Sequence, residues 1–76
     1  MSIYSEALAA FLETKILNQS ELAERAGCTQ AAISRYATGQ RLPPSTIATK
    51  IDEFTEGRVP LSLWRVVAAE KAGIAA

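Results

Sequence analysis

The sequence predicts an all-α fold of five short helices. Apolar residues recur at three- and four-residue intervals through most of the 76-residue chain. Capping residues and glycines punctuate these stretches where helices would start and stop. Runs of alternating apolar and polar residues, which a half-buried strand requires, are absent, and only Val59 is placed to add an isolated bridge.

The first helix is expected from about Ile3 to Lys15, with Ser2 as its N-cap. Ile3, Ala7, Leu8, Phe11 and Leu12 form its inward face. The second starts after Asn18 and runs from Gln19 to Ala26. Glu21, three residues after Asn18, approaches a capping box. Gly27 ends this helix, because glycine adopts the left-handed conformation without a Cβ clash. The third is capped by Thr29, runs from Gln30 to about Thr38 and stops at Gly39. Gln40, Arg41, Leu42 and Pro43 form a loop. A fourth helix opens at Pro44 or Ser45 and runs through Glu56 to Gly57, with Ile47, Ile51 and Phe54 inward. Arg58 and Val59 make an extended link, Pro60 starts a fifth helix through about Ala72, and the final residues are expected to fray.

A chain of this length supports one small domain, residues 1–76, with a thin core. Its 49% hydrophobic and 21% charged residues describe a globular chain. No apolar run approaches the roughly 20 residues that span a bilayer. The N-terminus lacks the pattern of a secretory signal, so a soluble cytoplasmic protein is the expectation. Cys28 is the single cysteine and histidine is absent, so the usual general base and metal ligand is missing. No phosphate loop, nucleophile elbow or metal-ligand spacing is present. A non-enzymatic protein with no cofactor, metal or small-molecule ligand is therefore expected.

The formal net charge is zero, which viewed globally speaks against a nucleic-acid partner. Its distribution says more. From Arg25 through Ile51 there is no acidic residue, whereas Arg25, Arg35, Arg41 and Lys50 are basic. A segment of one sign suggests a face of one sign, although four cations over this length also suit an ordinary solvated surface.

The central segment carries the strongest pattern. Residues 19–38 read as two helices meeting through a very short turn, a helix-turn-helix. Ala23 is small where the two helices cross, and Gly27 lets the backbone turn. Leu22, Cys28, Ile33 and Tyr36 face inward and lock the pair.

Leu17, Asn18, Gln19, Ala23, Gly27, Gln30 and Ile33 together resemble the Cro/CI-type helix-turn-helix of temperate phage repressors. Residues 39–64 are similar to the YdaS-like branch, through Pro44, then Thr55-Glu56-Gly57-Arg58-Val59, then Leu61 to Trp64. The resemblance covers roughly residues 3–64. It implies a compact five-helix, lambda-repressor-like DNA-binding domain acting in the cytoplasm or nucleoid of a bacterial host. The implied function is sequence-specific repression by a homodimer on a palindromic operator.

In this family the third helix enters the major groove of double-stranded DNA. That implies base reading by Gln30, Ala31, Ser34 and Arg35. Glutamine pairs with adenine, arginine with guanine, and a short apolar side chain meets the thymine methyl. Ala31 also fits plain helix propensity, and Arg35 fits a phosphate contact equally well. The resemblance implies a phosphate contact from Gln19, which is also placed to brace Gln30. Thr29, Tyr36, Thr38, Gln40 and Arg41 are further backbone candidates, with Tyr36 half-buried and its hydroxyl toward DNA.

The last helix, within residues 58–76, is the expected dimerisation element. Leu61, Trp64 and Ala68 form one stripe; Leu63, Val66 and Val67 lie on or near another. A helix apolar on two faces needs two burial partners, the core and a second subunit, although Trp64 equally fits a plug for the core. The assigned interface residues are Leu61, Leu63, Trp64, Val67 and Ala68. Two other functions suit the same domain: an antitoxin that binds DNA and a protein partner, and an activator resembling phage CII.

Overall fold

The computed structural model describes residues 2–73 and contains helices but no strand among them. The helices are α1 (Ile3–Glu13), α2 (Gln19–Ala26), α3 (Gln30–Thr38), α4 (Ser45–Phe54) and α5 (Leu61–Lys71). Residues 74–76, where fraying was expected, lie outside the described residues. Helix α1 packs on α3 and α5, α2 packs on α3 and α4, and α4 packs on α5. The radius of gyration is 11.4 Å, against about 11 Å expected for a compact chain of this length.

Local chemistry sets where the helices begin. The Ser2 hydroxyl accepts from the Ser5 N–H at 3.1 Å, and the Ser5 hydroxyl accepts from the Ser2 N–H at 2.8 Å. Asn18 and Glu21 make the same reciprocal exchange at the start of α2, at 2.8 and 3.0 Å. Each exchange satisfies two amides that a helix start leaves unpaired. Pro60 has no side chain that can cap α5. Asp52 on α4 substitutes for it, its Oδ2 accepting from the Leu61 N–H at 2.9 Å. That bond also sets a carboxylate at the positive end of the α5 dipole.

The core takes Tyr4, Leu8 and Phe11 from α1, Leu22, Ala23 and Ala26 from α2, and Ile33, Tyr36 and Ala37 from α3. Ile51, Val59 and Val67 complete it. This assignment corrects three sequence expectations. Ile3 is exposed, because the inward stripe of α1 runs through Tyr4, Leu8 and Phe11 instead. Phe54 is exposed as well, because Ala48, Ile51 and Thr55 occupy the inward side at the end of α4. Val59 is fully buried and makes no bridge.

Two helices stop earlier than expected, each for a local reason. α1 ends at Glu13 rather than Lys15: the Thr14 hydroxyl donates to the Phe11 carbonyl and Lys15 turns to φ 60°. α4 ends at Phe54 rather than Glu56. The buried Thr55 hydroxyl donates to the Ile51 carbonyl at 2.6 Å and accepts from the Val59 N–H at 3.2 Å. Glu56 and Gly57 then both adopt positive φ, which reverses the chain.

Candidate nucleic-acid interface

α2 and α3 are joined by Gly27, Cys28 and Thr29 alone. Gly27 sits at φ 78°, and the N–H groups of Gly27 and Cys28 both return to the Ala23 carbonyl, which closes α2. Thr29 then caps α3, its Oγ1 accepting from the Ala32 N–H at 3.1 Å. Ala23 is buried at this crossing, as the short turn requires. Cys28 is half-buried against the core, and burial pushes its thiol pKa up.

The inward side of α3 is Ile33, Tyr36 and Ala37, which fixes what faces out. Gln30, Ala31 and Arg35 are exposed and Ser34 is half-buried, so the four assigned base readers share the outer side of one helix. No acidic residue lies in the first turn of α3, and its last turn carries Arg35. The nearest acid before it in sequence that makes a cap, Glu21, has an Oε1 engaged by the Asn18 N–H.

The assigned backbone contacts differ in what they can offer. Thr29 uses its oxygen as an acceptor within the cap, which leaves its proton free to point outward. Thr38 is exposed, but its hydroxyl donates to the Ser34 carbonyl at 3.1 Å, with Arg35's carbonyl at 3.3 Å. Its proton is therefore committed inside the helix. The Gln40 and Arg41 N–H groups both fold back to the Arg35 carbonyl, at 3.0 and 3.3 Å, and leave exposed side chains beside the end of α3. Gln19 is half-buried at the start of α2. Among the described residues it makes no hydrogen bond to Gln30, so the expected brace is not formed. Tyr36 is more buried than expected, at 6% exposure. Burial raises its hydroxyl pKa, and the positive charge of Arg41 acts in the opposite direction.

One feature of this side had no counterpart in the sequence reading. A groove of about 460 Å³ runs beside α3, lined by Glu13 and Lys15 from the end of α1 and the following turn, by Gln19 from α2, and by Ala37 and Thr38 from α3. Lys15 and Glu13 lie outside the acid-free window in sequence, so only the tertiary fold brings them here.

On α5, Val67 is 3% exposed and belongs to the protomer's own core, so it does not face outward as assigned. Trp64 is half-buried, and its Nε1 donates to the Pro43 carbonyl at 2.7 Å. The indole thus seals the α3–α4 loop against α5. Leu61, Leu63 and Ala68 are half-buried, and Val66 is the exposed large apolar residue of the helix.

Among the described residues no helix is long and apolar enough to cross a membrane. No cluster of three or more His, Cys, Asp or Glu residues suited to a metal is present among them either. No curated protein and no solved structure matches the chain. A family model described as helix-turn-helix matches residues 8–60, which takes in the capped α2, the glycine turn, α3 and all of α4. With that match over more than half of its length, the chain belongs to the Cro/CI-type helix-turn-helix family and is a DNA-binding transcriptional regulator.

Proposed function

We propose that the chain is a repressor of the kind used by phages and prophages, binding a palindromic operator as a homodimer through α3. The observation that carries this reading is the outer side of α3. Gln30, Ala31, Ser34 and Arg35 stand together there, free of acidic neighbours on their own helix, ahead of a loop that presents Gln40 and Arg41. Polar side chains of this size at the start of a helix suit base edges in the major groove. Gln19, Thr29 and Arg41 supply the backbone contacts. Tyr36 contributes through its hydroxyl alone, because its ring belongs to the core.

Pairing is assigned to α5, through the exposed Val66 beside Leu63 on one side of the helix and the half-buried Leu61, Trp64 and Ala68 on another. One domain of this size covers a single half-site, and two copies reach half-sites about 34 Å apart, one helical turn of DNA. Tethering two modest contacts in this way raises affinity without new chemistry.

The test is selection of bound sequences from a random duplex pool at stated salt. Enrichment of a palindrome with half-sites one turn apart supports the reading. A lone half-site overturns the dimer, and no enrichment overturns sequence-specific binding.

A further inference from the structure

We propose that the groove beside α3 seats a backbone phosphate of duplex DNA and that Lys15 is the residue that binds it. This inference rests on the reading of α3 as the DNA-facing helix.

The groove is continuous with the assigned interface, because Gln19 and Thr38 line it. A phosphodiester carries a full negative charge on two exposed oxygens. A site for it needs a counter-charge and hydrogen-bond donors. Thr38 cannot supply the donor, since its proton is spent on the Ser34 carbonyl. Gln19 brings an amide donor but no charge. Lys15 is the cation among the lining residues, an ammonium on a flexible stem with three donors. Leu12 and Ala37 add apolar surface to the same groove, which suits the C–H edge of the adjoining sugar. Phosphate and sugar edges lie side by side along a DNA strand, so a groove with both characters matches a strand better than it matches a free anion.

Glu13 lines the groove too and opposes the same ligand. Its carboxylate holds the affinity of this contact down. A regulator that must leave its site gains from such a brake, because phosphate contacts strengthen binding to every sequence alike.

The proposal is tested by binding to a short duplex of arbitrary sequence over a range of salt, since a phosphate contact does not depend on the operator. Lys15→Gln is expected to lower the slope of log affinity against log salt by about one and to cost severalfold in affinity at low salt. Lys15→Arg should restore both, and Glu13→Gln should tighten binding. Circular dichroism of each variant checks that the fold is intact. An unchanged slope for Lys15→Gln, while Arg41→Ala lowers it, overturns the Lys15 assignment and leaves the reading of α3 standing. Failure of the wild-type chain to bind any duplex even at low salt overturns both. Chloride and inorganic phosphate should compete equally at matched ionic strength. Much stronger competition by phosphate would make the groove a free-anion site and overturn the proposal.

Discussion

Replacing Tyr4 by Phe tests the account of the core most directly. Tyr4 is 1% exposed, and its hydroxyl is a buried polar atom without a hydrogen-bond partner among the described residues. Burial, together with the negative charge of Asp52, pushes its pKa well above the usual tyrosine value of 10.0. Asp52 does not accept from it: the carboxylate instead holds the Leu61 N–H at 2.9 Å. An unsatisfied buried hydroxyl costs about 1–3 kcal/mol. Phenylalanine keeps the ring and removes that cost. The void left by one oxygen offsets a few tenths of a kcal/mol, at about 24 cal/mol per Å³ of cavity. The net expectation is stabilisation by roughly 1 kcal/mol, or about 4–8 °C in melting temperature for a domain of this size. Urea unfolding followed by circular dichroism measures it, with the m-value unchanged. A loss of about 1 kcal/mol or more would refute the reasoning, because the hydroxyl would then have a partner in solution, with Asp52 the first suspect.

Four further outcomes are expected. Gln30→Ala should cost about 1–3 kcal/mol on the selected operator and little on unrelated duplexes, whereas Arg41→Ala should weaken both and flatten the salt dependence; fluorescence anisotropy separates the two. Thr55→Val should destabilise by about 1–3 kcal/mol in thermal unfolding, because it orphans the buried Val59 N–H that Thr55 now satisfies. Gly27→Ala should cost about 1 kcal/mol purely through its φ of 78°, since a Cβ there meets nothing within 4 Å. Tyr4, Tyr36 and Cys28 all have raised folded-state pKa values, so each is neutral below its unfolded pKa and penalises the fold only as it begins to ionise. Stability should therefore hold below about pH 8.5 and fall as pH rises through the thiol and then the phenol range, with Tyr4→Phe shallowing the upper part of that fall. Chemical unfolding at a series of pH values would show this, and an alkaline limb indifferent to Tyr4→Phe would count against it.

Much of the turn was legible because its signals are chemical and local. Asn18 with Glu21, Gly27, Thr29 and Gly39 each act within a few residues of their own position, and the boundaries of α2 and α3 follow from them. The outer side of α3 was legible for a related reason: Ile33, Tyr36 and Ala37 must face in, which leaves few choices for the rest. Facing was less legible where helices are short and apolar on several sides. Ile3 and Tyr4 are neighbours about 100° apart on α1, and periodicity alone does not decide between them. Phe54 and Val67 were misassigned on the same grounds. Contacts that cross the chain leave no local trace at all. The Asp52 cap on α5 spans nine residues, and Lys15 reaches the α3 groove only because the turn after α1 takes a left-handed step that no glycine announces.

The bond from Trp64 to the Pro43 carbonyl spans 21 residues and has an optical consequence. The chain has one tryptophan, and its indole N–H is fastened to the loop that follows α3, two residues from Arg41. Its emission therefore comes from one place and responds to the polarity of that place. If the proposed DNA contact at Arg41 and the proposed pairing through α5 form, the indole would sit between them. A change in its emission would then report on either event without a dye attached to either surface.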